Sequence, residues 1–239
     1  MSNRFDLTGR VAVVIGATSG IGCAIAQGLM EHGATTIAAG RRSKDFVDVT
    51  DRGSIDRLCD VAIERHGRVD ILVNAAGYTF RKPTVDVKDE EWAALVDTDL
   101  TGALRACQSF YEPLKASGRG RVINIASLSS FVGFQEVTAY CAAKTGMLSL
   151  TRSLAVEWAR DNIMVNAIAP GLFPTEMTEK LIKGTPRGEE LLMRTPMKRF
   201  GRTEELIGVA VLLASDAASF LTGQCITVDG GFLASGVNS

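Results

Sequence analysis

Short β-branched runs alternate with amphipathic stretches from one end of the chain to the other. Val11–Ile15 is an unbroken apolar run, the pattern of a strand buried on both faces. After it, Ile21, Ile25 and Leu29 recur every fourth residue, which predicts a helix. Thr35–Ala39 predicts a second strand, and Asp48-Val49-Thr50 reads as the end of a third. A helical segment follows from about 54 to 66, then a buried strand over 69–73 and a long helical region from 89 to about 114. A strand over 122–126, a helix that Tyr140 opens and a strand over 163–168 continue the alternation. Thr203-Glu204-Glu205 starts a last helix with an N-cap and acids in its first turn, and Cys225–Val228 makes the final strand. This alternation predicts an α/β fold, one domain over 1–239 whose doubly wound, mostly parallel sheet carries helices on both faces.

Two stretches break the rhythm. Only six residues, 42–47, separate Arg41 from the third-strand segment, whereas a parallel crossover normally takes a dozen or more. The helix between strands 2 and 3 is therefore expected to be missing, with 40–48 an irregular or extended connection. From 172 to about 200 strand character is lost, and Pro174, Pro186 and Pro196 interrupt a charged run. An irregular stretch of that length in a compact domain predicts a lid.

Composition narrows the classes. An apolar content of 46% over 239 residues supports a substantial core. A net charge of −1 without any block of like charge gives no electrostatic footing for nucleic acid or an anionic membrane. No apolar run approaches the roughly 20 residues of a membrane span, and the polar start does not read as a signal peptide. Five scattered cysteines suit free thiols in a reducing cytoplasm. His32 and His66 each precede a glycine where a helix should end, which helix capping explains, so neither is assigned to a metal or to catalysis.

Candidate chemistry centres on Tyr140 and Lys144, four residues apart and so on one face of a helix. A lysine there favours the phenolate, which suits a tyrosine that exchanges a proton with an alcohol. Tyr78 with Lys82 and Tyr111 with Lys115 share the spacing. Only Tyr140 opens a long helical pattern, with Leu148, Leu150, Leu154 and Trp158 downstream. Ser127, at the end of the 122–126 run, is the hydroxyl candidate. Gly16-Ala17-Thr18-Ser19-Gly20-Ile21-Gly22 joins the first strand to the first helix, where a glycine turn lets backbone approach a pyrophosphate. At the end of the second strand, where an acid would bind the ribose hydroxyl of NAD, stand Gly40, Arg41 and Arg42. A guanidinium suits a 2′-phosphate, so NADP(H) is the preferred cofactor, with NAD(H) left open.

Taken in order, the G-x-x-x-G-x-G turn, Asp48, Asn74-Ala75-Ala76-Gly77, Ser127, Tyr140, Lys144 and Pro170-Gly171 with Thr175 resemble the short-chain dehydrogenase/reductase family over nearly the whole chain. The resemblance implies a Rossmann-type fold and interconversion of a secondary alcohol and a ketone. Tyr140 would be the acid–base group, Ser127 would hold the substrate oxygen, and Lys144 would bind the nicotinamide ribose. Gly16, Ser19, Gly20, Ile21, Gly22, Arg41, Asp48, Val49, Asn74 and Gly77 would line the cofactor site, with Pro170, Gly171, Phe173 and Thr175 near its carboxamide end. The family also implies a homotetramer that pairs helices near 101–114 and 139–160; both carry apolar residues beyond one buried stripe, which makes Phe110, Met147 and Trp158 the candidates for that seam. Asp99 stands where the family usually has the asparagine of its catalytic tetrad. A carboxylate accepts the same hydrogen bonds but cannot donate them unless protonated.

Polar groups near the expected pocket (Ser129, Gln135, Glu136, and Glu176, Lys180, Lys183, Arg187 and Arg194 in the lid) suit a polyol, sugar or sugar-acid substrate. The tail from Val228 to Asn238 resembles the gluconate 5-dehydrogenase branch. The alternatives are a 3-oxoacyl-carrier-protein reductase, which would dock its acidic carrier on Arg119 and Arg121, and an NADP-binding regulator with impaired catalysis.

Overall fold

In a computed structural model, which describes residues 3–175 and 179–236, six parallel strands form one sheet in the order β2-β1-β3-β4-β5-β6. The chain runs β1 (Val11–Ile15), α1 (Gly20–Glu31), β2 (Thr35–Ala39), α2 (Arg52–His66), β3 (Ile71–Asn74) and α3 (Asp89–Val96). One π-helical turn, Asp97–Thr101, leads into α4 (Gly102–Ser109) and α5 (Tyr111–Ala116). β4 (Arg121–Ile125), α6 (Thr138–Trp158) and β5 (Met164–Pro170) follow, then α7 (Glu179–Ile182), α8 (Pro186–Arg194), α9 (Ile207–Ala214) and β6 (Cys225–Val228). The 172–200 segment thus carries two short helices, and Glu176 and the Val237-Asn238 tail lie outside the described residues.

Strand side chains alternate between two cores, as a pleated sheet covered on both faces requires. Val13, Ile15, Leu72 and Val122 pack with Ile55, Leu58, Phe110 and Trp158 on one side. Ala12, Val14, Val73 and Ile123 pack with Ile25, Leu29, Ala210 and Val211 on the other. Both histidines sit at helix ends: His32 caps α1, and α2 stops at Gly67 in the left-handed region (φ 72°). No described helix is long and apolar enough to cross a membrane.

Three expectations need correction. The connection after β2 has no helix, but 48–50 is not a strand either; one isolated bridge, Ala39 to Asp45, is all that extends the sheet there. The reason is local. Gly40 N–H donates to the Asp45 carbonyl at 3.1 Å and Val47 N–H to the Gly40 carbonyl at 3.4 Å, so the backbone bonds to itself. Val47 and Val49 still reach the core as side chains. Next, the helical region from 89 is broken by the π turn. Finally, Phe110, Met147 and Trp158 are 0%, 1% and 6% exposed, so the protomer's own core already uses the residues assigned to a subunit seam.

The N-terminal ends of the strands are tied by buried charge. Asp70 has no exposed surface and accepts from Val11 N–H (2.8 Å), Arg68 (2.6 and 2.9 Å) and Arg119 (2.9 Å). Burial works against its charge, but these donors prevail and hold the carboxyl below its ordinary range. A depressed carboxyl stabilises the fold above its unfolded value, near ~3.9, and the contribution is lost as pH falls through the folded value. Asp70→Asn should therefore lower stability at pH 7 by about 3 kcal/mol, the low end for breaking a buried pair, because both arginines are partly in water. Urea unfolding of both forms tests this, and the gap should narrow once pH falls below the unfolded value and close as it passes through the lower folded one.

Candidate active site

Strand order reverses between β1 and β3, and at that point the carboxyl ends of the strands open into a cleft of about 1020 Å³. Parallel α/β sheets bind ligands at such a switch point. The β1–α1 turn forms one wall. Gly16 has φ 89°, and a Cβ there would lie 2.4 Å from the Ala76 nitrogen, so only glycine fits between the two loops. Ser19 caps α1 in an extended conformation without spending its side chain on the helix. The first N–H groups of α1 therefore end at the cleft, where an anion is favoured.

Arg41 and Arg42 lie on the lining beyond β2, both exposed, and Arg41 has no ion-pair partner among the described residues. Asp48 lines the same end. Hydrogen bonds from the Thr50 N–H and hydroxyl hold its carboxyl below the ordinary range, with Arg41 contributing as a nearby cation. Val49 and Gly77 complete that side, and Pro170, Gly171, Phe173 and Thr175 line the β5 side. Asn74 is placed differently from the sequence expectation. It is buried beneath the cleft, donating to Asn124 Oδ1 at 2.9 Å, and is not part of the lining. The alternation of a strand explains it, because the last residue of β3 points into the layer under the sheet. Val47, Tyr78 and Thr98 line the cleft without being singled out by a motif, and Thr18 does so from inside the glycine turn. Tyr78 had one further signal, its adjacency to Gly77.

Of the three tyrosine–lysine pairs, Tyr111–Lys115 is tied to Asp161 on the α5 side, and Lys82 is held by Glu91. Tyr140 and Lys144 alone face the cleft as a pair. Lys144 is 5% exposed, with Nζ 5.5 Å from the centre of the Tyr140 ring. Nζ donates to the Ile125 carbonyl at 3.2 Å, which anchors it to the end of β4. Ser127, just beyond that strand, caps the next turn by accepting from Ser129 N–H at 3.1 Å.

Asp99 reaches this group from the π turn and has no exposed surface. Its Oδ1 accepts from Tyr78 N–H at 2.9 Å, and its Oδ2 lies 3.3 Å from Lys144 Nζ. That contact is an ion pair, and it is the Lys144 ammonium that faces Oδ2. Gly77 makes the approach feasible, since a Cβ there would stand 2.7 Å from Oδ2. Burial raises the Asp99 carboxyl above its ordinary range, against the pull of Lys144 and Tyr78 N–H. For Lys144, burial opposes the ammonium, yet Asp99 and then Tyr140 outweigh it and hold the group above its usual value.

A parallel sheet with an anion-accepting turn at its switch point and a lysine-backed phenol facing it defines a nucleotide-binding α/β enzyme. The family described as Enoyl-(Acyl carrier protein) reductase matches residues 16–233. The chain is 36% identical to gluconate 5-dehydrogenase of Gluconobacter oxydans, covering 97% of each. It is 37% identical to a 3-oxoacyl-[acyl-carrier-protein] reductase of Thermotoga maritima, over 95% of this chain and 99% of the relative. Its fold superimposes on a gluconate 5-dehydrogenase from Burkholderia cenocepacia, solved in complex with NADP and tartrate, with a TM-score of 0.92, 34% identity and 98% of each chain covered. The chain belongs to the short-chain dehydrogenase/reductase family.

Asparagine at position 99 would keep an acceptor for Tyr78 N–H, but it would remove the charge and set an amide N–H donor where Oδ2 faces Lys144. Burial of Lys144 would then be opposed by one fewer anion, so its proton would leave at lower pH. The alkaline limb of turnover by Asp99→Asn should move to lower pH, with fold and neutral-pH activity retained. Rates from pH 6 to 10 decide this, and coincident profiles for the two forms would reduce Asp99 to holding the backbone.

Proposed function

We propose that the protein is an NADP(H)-dependent dehydrogenase of polyols, sugars or sugar acids, interconverting a secondary alcohol and a ketone. The observation that carries the reading is the Tyr140–Lys144 pair facing the same cleft as the glycine turn and Arg41, which has no ion-pair partner among the described residues. The chain fits the cofactor: Gly16 leaves a cradle that a Cβ would fill, the N–H groups of α1 suit a pyrophosphate, and Arg41 suits a 2′-phosphate. When bound, NADP(H) supplies or accepts the hydride. Ser127 holds the substrate oxygen by a hydrogen bond, and Tyr140 gives that oxygen a proton in reduction or takes one in oxidation. Lys144 binds the nicotinamide ribose and places positive charge beside the phenol. Asp99 positions Lys144. The 172–200 segment acts as a lid that excludes water.

A carrier-protein reductase is the second reading, since one relative at 37% identity bears that name. It is disfavoured by where its docking arginines lie. Arg121 opens β4 and is 2% exposed, and Arg119 is paired with Asp70, both at the end of the sheet away from the cleft. Loss of catalysis is disfavoured because Ser127, Tyr140 and Lys144 are all in place. The five free thiols suit the cytoplasm. We assign a homotetramer whose seam uses exposed positions of α6 such as Val156, 83% exposed, in place of the buried residues first considered. Light scattering at micromolar concentration that returned the 25.5 kDa protomer would reject it.

The cofactor assignment is tested at Arg41. Losing a charge-assisted contact costs about 1.5–3 kcal/mol, so Arg41→Ala should weaken NADPH binding roughly 10- to 100-fold and leave NADH nearly unchanged. Fluorescence titration reads both. Equal losses would mean that the arginine does not contact the phosphate.

A further inference from the structure

Ser127 and Lys144 line the cleft from different elements, and one buried side chain behind the lining touches both. Ser130 closes the turn that follows β4, where its N–H donates to the Ser127 carbonyl at 3.0 Å. It is 8% exposed and does not line the cleft. Its hydroxyl donates to the Lys144 carbonyl at 2.6 Å and accepts from the Ser127 N–H at 3.3 Å. A hydroxyl has one proton, so the short bond to α6 fixes its direction and leaves its lone pairs to Ser127.

The same segment holds the other end of Lys144. Nζ donates to the Ile125 carbonyl at 3.2 Å, and Ala126 N–H donates to the Ile168 carbonyl of β5 at 2.8 Å. Residues 125–130 thus grip the lysine at its ammonium and at its backbone, from a footing on the sheet. Packing gives no reason for the second grip. The Lys144 carbonyl lies inside α6 and already serves that helix. Ala126 and Leu148 share an apolar cluster, so the segment meets the helix without the hydroxyl. Thr145 Oγ1 also reaches the Ser129 carbonyl, but at 3.5 Å the bond is long. Burying a hydroxyl carries a desolvation cost that an apolar side chain in the same place would avoid. What the hydroxyl adds is direction, setting Ser127 against the residue one helical turn beyond Tyr140.

Resting on the dehydrogenase reading above, we propose that Ser130 is a positioning residue for the reaction. It fixes Ser127, which holds the substrate oxygen, relative to Lys144, which binds the nicotinamide ribose. Misplacement by about 1 Å costs roughly 100-fold in rate. Loss of the hydroxyl therefore acts on the chemical step and leaves NADPH binding in place.

The test measures NADP⁺ reduction in single turnovers and at steady state, with D-gluconate and with threitol. Ser130→Ala should lower the single-turnover rate and kcat about tenfold or more, with NADPH affinity by fluorescence titration within about twofold of native. Ser130→Thr keeps the hydroxyl and should recover most of the rate. Ser130→Cys keeps the shape but donates weakly, so its rate should fall between. Thr151→Val controls for stability. Thr151 is 1% exposed on the same helix, and its hydroxyl donates to the Met147 carbonyl at 2.8 Å and accepts from Asn124 at 2.9 Å, away from the turn. That variant should melt at a lower temperature, as Ser130→Ala does, yet keep its kcat. Retained kcat in Ser130→Ala and Ser130→Cys, or losses no greater than in an equally destabilised Thr151→Val, would overturn the proposal while the dehydrogenase reading stands. Equal losses in Ser130→Ala and Ser130→Thr would overturn it too, because the hydroxyl would not be the cause. A native enzyme that reduces NADP⁺ with neither substrate would sink both.

Discussion

The arrangement depends on a buried ion pair at the floor of the cleft. Taking Asp99 and Lys144 out of water is costly, and attraction between them offsets the cost only with help from other polar groups. The Ile125 carbonyl supplies that help to Lys144, and Tyr78 N–H supplies it to Asp99. Four separate elements are thereby drawn to one point: the end of β4, the loop after β3, the π turn and α6. Each can be seen giving way to the pair. Gly77 lacks the Cβ that would meet the carboxylate, and the helix after α3 widens by one π turn as it delivers Asp99.

Around that pair the two ends of the sheet divide their work. At the N-terminal ends of the strands, buried charges are fully engaged. Asp70 is held by Arg68 and Arg119, while Arg10 and Arg121 share Asp216 and the carbonyls of 214 and 215. At the carboxyl ends, polar groups are left open among the described residues: the first N–H groups of α1 and the Arg41 guanidinium. Groups satisfied by the fold stabilise it. Groups left unsatisfied in a cleft are what a ligand can use.

The short β2–α2 connection shows how a missing element reshapes a site without removing its chemistry. With no room for a helix, 40–48 folds back on itself, and Val47 and Val49 fill the core that a strand would otherwise have covered. Asp48 is held at the cleft by Thr50 and a Ser54 hydroxyl instead of by a sheet ladder. The sheet edge at β2 is consequently covered by little more than this turn.

The sequence by itself determined the layered fold and pointed to most of the residues that line the cleft. β1, β2 and β6 lie where their runs predicted; β1 is apolar because it is buried throughout, while β2 and β6, at the sheet edges, are only partly buried. The glycine turn, Ser127, Tyr140 and Lys144 were legible because each sits at a fixed offset from a strand end or along one helix face. Tertiary structure decided what depends on contacts distant in sequence. Val49 looked like a strand residue, yet whether it pairs is set by the backbone of Gly40 and Asp45. Phe110, Met147 and Trp158 looked surplus to one buried stripe until the packing consumed them. Asn74 read as a lining residue, and the pleat turned it under the sheet. Asp99 and Lys144 are 45 residues apart in the chain, and only the fold makes them one electrostatic unit, because burial strengthens a contact that solvent would have screened.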